Sequence, residues 1–222
     1  MLDALSAALL GFLLGLKHAT DSDHVVAVSA IVARERTFRR AAWIGGLWGI
    51  GHSLTVFVVG GAIVAFRLVI PPRLGLGLEF GVALMLIVLG FNNLRPQAVA
   101  EDHGHEHEIP PASNDLRPVL VGIVHGLAGS AAVAILVLAA IPKTALALAY
   151  LFVFGVGTIA GMTLVTGMIA WPAVYAGDRM ARFQTGIRLA AGALSVLFGV
   201  LLAREIILNG GLFSAAVRWS PR

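Results

Sequence analysis

The sequence predicts an all-α integral membrane protein with about six transmembrane helices. Of its 222 residues, 58% are hydrophobic and only 13% are charged, whereas soluble domains carry about 25% charged residues. The mean hydropathy is +0.89. Apolar stretches long enough to cross a bilayer, about 20 residues each, recur along the chain. We expect them at residues 3–33, 41–66, 74–94, 118–140, 144–171 and 187–208.

The first stretch is too long for one straight crossing. About 30 residues of helix extend ~45 Å, and the hydrocarbon core of a bilayer is ~30 Å thick. The middle of this stretch holds the polar segment His18-Ala-Thr-Asp-Ser-Asp-His24. In an unbroken helix, His18, Asp21 and His24 would share one face, while Asp23 would point away. We therefore expect the first helix to be broken or bent at this segment.

Basic residues in the loops predict the orientation. The 34–40 loop carries four arginines, and the next loop carries only Arg67 and Arg73. The positive-inside rule then places the 34–40 loop in the cytoplasm and the N-terminus outside. No basic residue precedes Lys17, so no cleavable signal peptide is expected. We expect a multi-pass protein of a bacterial-type cytoplasmic membrane, and its net charge of +4 requires no nucleic-acid partner.

The two halves of the chain align weakly with each other. Residues 15–27 align without gaps on residues 122–134, which pairs Gly15 with Gly122 and His18 with His125. Each half would hold three spans, an odd number, so the halves would cross the membrane in opposite senses. Such a 3+3 inverted repeat places its substrate near the bilayer midplane. The expected organisation is a first membrane repeat at 1–95, a loop at 96–117 and a second membrane repeat at 118–222.

The loop between the halves contains a polar segment, residues 101–108, in which histidines alternate with acidic residues and glycine. Its composition favours a flexible segment without a core of its own. Two interpretations remain open for this segment. It collects metal ions weakly, or it is a solvated acidic linker.

A cluster of histidines and acids predicts a metal-ion site. Ionisable side chains at membrane depth cost about 2.5–3.5 kcal/mol each on insertion scales, so they mark ion or substrate paths. Imidazole suits nickel, cobalt, zinc and copper, and carboxylate suits harder ions. The chain has no Cys, so thiolate ligands are excluded. The candidate ligands are His18, Asp21, Asp23, His24, His52 and His125.

Two of these candidates have alternative structural roles. His52 lies in Gly49-Ile-Gly-His-Ser-Leu-Thr55, where small residues allow close helix contact, so it is either a ligand or a hydrogen-bonding residue between helices. His125 is either a further ligand or a packing residue. For the cluster at residues 18–24, a purely structural role would require two carboxylates and two imidazoles to satisfy one another in lipid.

These residues resemble motifs of the nickel/cobalt transporter family (NiCoT). His18 followed by Asp23-His24 matches that family's H-x4-D-H pattern, and Gly51-His52-Ser53 is similar to its L-G-H-S-T motif. Residues 160–164 are similar to its A-G-M-x-L segment. The family usually has eight spans, so this chain resembles the shorter branch that includes urease-accessory nickel permeases. The resemblance implies a permease for nickel or cobalt, with His18, Asp23 and His24 as primary ligands.

The expected function is transport of a divalent transition metal ion into the cytoplasm, nickel first and cobalt second. The sequence has no G-x4-G-K-[ST] motif, so coupling to a gradient or to another subunit, or no coupling, is expected. We expect no enzyme activity and no resident cofactor. The expected partners are the metal ion and the lipid bilayer. Export of the same ions, an intramembrane metalloenzyme and a metal sensor remain alternatives, although the H-E-x-x-H pattern of zinc hydrolases is absent.

Overall fold

The regular secondary structure is helical throughout the part of the chain that the computed structural model describes, which comprises residues 4–33, 35, 37–95, 112–141, 143–175, 181–214 and 217–219. The helices are α1 (Ala4–His18), α2 (Ser22–Val32), α3 (Phe38–Thr55), α4 (Gly61–Phe66), α5 (Pro72–Leu94), α6 (Ala112–Ala140), α7 (Thr144–Tyr175) and α8 (Ala181–Leu208). A π-helical turn, Val56–Gly60, joins α3 to α4 without interruption. The His-rich segment 101–108 lies outside the described residues.

Four of the helical segments are long and apolar enough to cross a membrane, which agrees with a membrane protein. They correspond to the predicted spans at 41–66, 74–94, 144–171 and 187–208, and their bounds are Phe38–Phe66, Pro72–Leu94, Thr144–Trp171 and Thr185–Leu208. Helix α6 covers the predicted fourth span, at 118–140. Large apolar side chains such as Val88 and Leu201 are exposed on these helices, as a lipid environment requires.

The first predicted span is divided at the polar segment, which confirms the expected break. Helix α1 ends at His18, and α2 begins at Ser22 after Asp21, whose backbone is extended. The Thr20 hydroxyl donates to the Lys17 carbonyl at 2.6 Å, a local bond of the kind with which Ser, Thr and Asp compete against helix continuation. The break gives α2 its own direction, so Asp23 lies against His24 and His125 and does not point away as it would in an unbroken helix.

Close helix contacts build a core bundle from α1, α3, α6 and α7. Helix α1 packs along α7, α3 packs along both α6 and α7, and glycines lie at the contact points. A Cβ added to Gly15 would lie 2.1 Å from the carbonyl oxygen of Phe154, and one added to Gly122 would lie 2.2 Å from that of Trp48. No other residue fits there, so these glycines set the distance between the helices.

Helices α5 and α8 form a separate pair. A Cβ on Gly90 of α5 would lie 2.6 Å from the carbonyl oxygen of Gly192, and the Ser195 hydroxyl donates to the Leu86 carbonyl at 2.8 Å. The pair contacts the rest of the protein mainly through α2 and α6. The buried amide of Asn93 contributes one such contact, because it donates to the Ala30 carbonyl of α2 at 2.5 Å.

Polar contacts distinguish the two ends of the bundle. At one end, Arg40 of α3 pairs with Asp115 of α6, and Arg188 of α8 donates to the backbone carbonyls of Asn93 and Arg95 at the end of α5. These contacts define the arginine end of the bundle. At the opposite end, the C-terminal segment 217–219 folds back onto the first turns of α5.

Candidate metal-ion site

Four histidines converge at the break between α1 and α2. His18 is the last residue of α1, His24 lies in the first turn of α2, His52 lies on α3 and His125 lies on α6. Neighbouring rings have centroids 4.3–5.8 Å apart. The residues His24, His52 and His125 are each at most 2% exposed. The structure thus brings together residues from four helices that are far apart in sequence.

The contact between His18 and His52 has the spacing of two ligands on one ion. Their Nε2 atoms are 3.2 Å apart. Imidazole nitrogens bind a transition metal at about 2.0–2.1 Å, so two ligands at angles of about 90–109° are ~3.0–3.4 Å apart. The same two atoms can also share one proton in a hydrogen bond. The distance is therefore compatible with a metal ion without a change of backbone.

Carboxylates orient two of the imidazoles. The Nδ1–H group of His18 donates to Asp21 at 2.8 Å, and that of His24 donates to Asp23 at 3.1 Å. These bonds put the proton of each neutral ring on Nδ1 and leave the lone pair on Nε2. Metal-binding histidines almost always donate their second nitrogen in this way, because the carboxylate fixes the tautomer and makes the ligand more basic.

Asp23 also binds a second histidine. Its Oδ2 atom accepts a hydrogen bond from Nε2–H of His125 at 2.9 Å, while its Oδ1 atom accepts from His24. The carboxylate therefore links α2 to α6. The Asp23 side chain is about one-third exposed, whereas His24 and His125 are buried. The two histidines therefore lie on the interior side of this carboxylate.

Several buried nitrogens have no hydrogen-bond partner among the described residues. They are Nε2 of His24, Nδ1 of His52, Nδ1 of His125 and Nε1 of Trp48. An unsatisfied buried polar atom costs about 1–3 kcal/mol, so each one in a native protein requires an explanation. The ring nitrogens of the three histidines can bind a cation through their lone pairs, whereas the Trp48 indole N–H is a donor and would require an acceptor.

Two overlapping sets of side chains could hold an ion. In the first set, His18, His24 and His52, the ligand atoms lie within 4.8 Å of one another. The same limit holds for the second set, Asp23, His24 and His125. Two nitrogens bound to one ion are at most ~4.2 Å apart, so small side-chain shifts would complete either set. His24 belongs to both and would connect them.

All six sequence-predicted residues lie at this location, but in different roles. Asp21 is the most peripheral, since its side chain is 47% exposed and contacts His18 from the outside. Two neighbours were not predicted. Trp48 packs its ring 5.5 Å from His24 and 5.7 Å from His125, and Phe154 packs 5.4 Å from His18. Trp48 directly precedes the 49–52 segment, and Phe154 directly precedes the aligned 155–158 segment. An aromatic residue at the same position of both halves is the sequence signal that could have identified them.

A partly open cavity of about 350 Å³ leads to the histidines. Residues of α2, α5, α6 and α8 line it, so it lies between the core bundle and the α5–α8 pair. Its acidic members are Asp21, Asp23 and Glu79, and no Lys or Arg lines it in the described part of the chain. The arrangement can attract a cation and offer it nitrogen and oxygen ligands.

Comparison with known proteins identifies relatives. The chain is 32% identical over 225 residues to the urease accessory protein UreH of Bacillus sp. (strain TB-90), and the match covers 97% of this chain and 98% of the relative. It is 24% identical to the chloroplast protein FOR GROWTH AND FERTILITY 2 of Arabidopsis thaliana, over 90% of this chain and 56% of that protein. No family profile and no solved structure matches. The chain therefore belongs to the family of the urease accessory protein UreH.

Proposed function

We propose that this protein is a membrane permease that carries a divalent transition metal ion, nickel or cobalt, into the cytoplasm. The observation that carries the proposal is the cluster of the partly buried His18 with the buried His24, His52 and His125, which offers two overlapping sets of ligand atoms within 4.8 Å of one another. A cluster of this kind replaces the hydration shell of an ion in transit. Two adjacent carboxylates, Asp21 and Asp23, carry the charge that neutralises a divalent ion.

The ligand roles follow from the hydrogen bonds. His18, His24 and His52 would bind the ion through nitrogen, and Asp21 and Asp23 would orient the first two of them. Asp23 with His125 would form an adjacent position to which the ion moves. A weak site with two overlapping positions suits transport, because an ion that is to leave again cannot be held as tightly as a structural metal.

Nickel is the preferred cargo for two reasons. The relative in Bacillus is named as a urease accessory protein, and the motifs of this chain resemble the branch of the nickel/cobalt transporter family that includes urease-accessory nickel permeases. Imidazole nitrogens with carboxylate support and no thiolate also suit nickel and cobalt. The metal ion would be the substrate of the permease and not a resident cofactor.

We further propose that the two halves are a 3+3 inverted repeat, and equivalent contacts support this. The sequence alignment pairs Gly15 with Gly122 and His52 with Thr158. A Cβ on Gly15 would lie 2.8 Å from the backbone nitrogen of Thr158, and a Cβ on Gly122 would lie 2.9 Å from that of His52. Gly15 therefore contacts Thr158 in the way that its aligned counterpart, Gly122, contacts His52, which is the residue aligned with Thr158.

The reciprocal contacts agree with this relation. A Cβ on Gly51 would lie 2.3 Å from the carbonyl oxygen of Val119, and one on Gly157 would lie 2.2 Å from that of Phe12. Gly51 and Gly157 are aligned, and extending the alignment three residues before Gly15 pairs Phe12 with Val119. An inverted pair of three-span halves offers two arrangements of similar packing energy, which is what alternating access requires.

The orientation proposed from the loops has structural support. The arginine end gathers Arg40 of the 34–40 loop, Arg95 and Asp115 at the two ends of the 96–117 loop, and Arg188 near the start of α8. With this end in the cytoplasm, the N-terminus lies outside. The cavity residues Glu79 and Leu202 then lie toward the outer face, where an imported ion arrives.

Flux into proteoliposomes tests the function. Purified protein is reconstituted, and uptake of Ni²⁺ and Co²⁺ is followed for the wild type and for His18→Ala and His52→Ala. We expect uptake by the wild type and a loss of at least about tenfold in both variants. Ser195→Ala, which removes a buried hydroxyl on α8, is the control and should transport normally.

Other outcomes identify the alternatives. If wild-type vesicles take up no metal ion but the protein has hydrolytic activity, a metalloenzyme is favoured. If the protein only binds the metal ion, a sensor is favoured. In cells, a permease for import raises the nickel content, and an exporter lowers it. Unchanged flux in both histidine variants would contradict the proposed site.

A further inference from the structure

We propose that Glu79 of α5 is a cation-capturing residue of the outer vestibule, which collects the divalent ion and passes it to the histidines. The inference rests on the proposed transport function and deepens it. Glu79 lies on the opposite wall of the cavity from the ligand cluster, on a helix that contributes none of the candidate ligands. Nothing in the H-x4-D-H pattern refers to this residue.

The position of Glu79 fits capture. It is the eighth residue of α5, so it lies ~10 Å along the helix from Pro72 and inside an apolar span. Its side chain is partly buried and lines the same cavity as His24 and His125. A carboxylate in an apolar span has a functional role by default, because its insertion is unfavourable.

Charge around the cavity supports the same role. Glu79, Asp21 and Asp23 line it, and the described residues that line it include no Lys or Arg. A cleft that carries one sign of charge between apolar walls raises the local concentration of counter-ions about 10–1,000-fold. At the inner end of this cleft, Nε2 of the buried His24 has no hydrogen-bond partner among the described residues. The acids therefore lead toward ligand atoms.

The C-terminal segment holds Glu79 in place. The indole Nε1–H of Trp219 donates to Oε1 of Glu79 at 2.9 Å, and the Trp219 ring fills the space beside Gly75, where an added Cβ would lie 2.3 Å from the ring. A carboxylate has about four lone-pair positions on its two oxygens. Binding to one indole therefore leaves Glu79 with the capacity to contact a cation.

A purely structural role would make Glu79 an anchor for the C-terminal segment. The variants Trp219→Phe and Glu79→Gln distinguish the capture role from the anchoring role. The first variant removes the hydrogen bond but keeps the carboxylate and the ring beside Gly75. The second variant removes the charge but keeps an oxygen that accepts from Trp219. Capture depends on the charge, and anchoring depends on the hydrogen bond.

The experiment measures initial rates of Ni²⁺ uptake into proteoliposomes over a range of Ni²⁺ and salt concentrations. For Glu79→Gln we expect a KM raised about tenfold, little change in the maximal rate, and a weaker dependence on ionic strength. Trp219→Phe should remain within about twofold of the wild type. Glu205→Gln, which removes another carboxylate, from α8 and outside this cavity, is the matched control and should behave as the wild type.

A binding measurement separates the vestibule from the ligand site. The visible absorption bands of a protein-bound Co²⁺ ion depend on its ligands, so a Co²⁺ titration of the purified protein would report on the ligand site. Glu79→Gln should keep the wild-type bands, whereas His18→Ala should change them. If Glu79→Gln and Trp219→Phe impair uptake equally, or if Glu79→Gln leaves KM and salt dependence unchanged, the capture role is wrong. If wild-type uptake is absent, or if His18→Ala has no effect, the proposed function itself fails.

Discussion

At the scale of single residues, Asp23 is the most heavily used group of the candidate site. Its two oxygens accept hydrogen bonds from His24 and His125, and Oδ1 also accepts from the His24 backbone nitrogen at 3.0 Å. Asp21 has one such role, with His18, and its side chain is more exposed. The sequence places both acids in one motif and does not rank them. In the structure Asp23 orients two histidines and Asp21 orients one, so Asp23 is expected to be the more important of the two acids.

The two acids should therefore differ in mutational sensitivity. Asp23→Asn removes the charge and places an amide group, which is a donor, against one of two N–H donors. We expect the Ni²⁺ uptake rate to fall about 100-fold, and Asp21→Asn to lower it about tenfold. Initial rates in proteoliposomes at one protein density measure the difference. Equal losses, or a larger loss in Asp21→Asn, would contradict the ranking.

The sequence does not distinguish a ligand role from a packing role for His125, because its neighbours Gly126, Leu127 and Ala128 carry no polar side chain. In the structure His125 is buried, donates to Asp23 and packs 4.3 Å from the His24 ring, centroid to centroid. Whether a histidine can act as a ligand or only as a packing residue depends on the side chains that face it, which for His125 are Asp23 and His24. That information is contained in the contact between α2 and α6, and not in either segment alone.

At the scale of helices, glycine determines which elements can approach. Gly157 of α7 lies against the Phe12 backbone of α1, where an added Cβ would be 2.2 Å from the carbonyl oxygen. Gly77 of α5 has open space around the same position. Composition predicts close packing from the abundance of glycine, but it does not distinguish these two environments, since both glycines lie in apolar helical sequence.

Substitution of these two glycines should have opposite effects on stability. Gly157→Ala forces α1 and α7 apart and should destabilise the fold by about 1–3 kcal/mol. Gly77→Ala meets nothing and should be neutral, or stabilising by up to ~1 kcal/mol, because alanine favours the helix. Thermal unfolding of the purified protein in detergent measures both. A stability loss in Gly77→Ala that matches the loss in Gly157→Ala would contradict the packing.

At the scale of the whole molecule, the cavity separates two bodies. The core bundle and α2 carry all the candidate ligands, and the α5–α8 pair carries Glu79, Phe198 and Leu202 on the facing wall. Tight glycine contacts hold the pair together internally, whereas its contacts with the core are fewer and run mainly through α2 and α6. Movement of the pair against the core would open or close the cavity without disturbing the packing within either body.

Cross-linking tests this division, and the chain offers a clean background because it contains no Cys. In the double variant Ala128→Cys with Phe198→Cys, a short thiol-reactive cross-linker would connect the two walls of the cavity and should stop Ni²⁺ uptake. The matched control is Glu205→Cys with Asn209→Cys, which connects two exposed side-chain positions at the end of α8 within the pair and should leave uptake intact. Inhibition by both links, or by neither, would contradict movement between the two bodies.

The sequence by itself determined the helical class, four of the long apolar spans, the break within residues 18–24 and the residue types of the candidate site. These properties are local, since apolar length and a polar interruption act on the backbone near them. The tertiary structure decided the direction of Asp23, the inclusion of His125, the neighbours Trp48 and Phe154 and the facing position of Glu79. These side-chain positions depend on which helices pack against each other, and contacts between segments that are distant in sequence determine that packing.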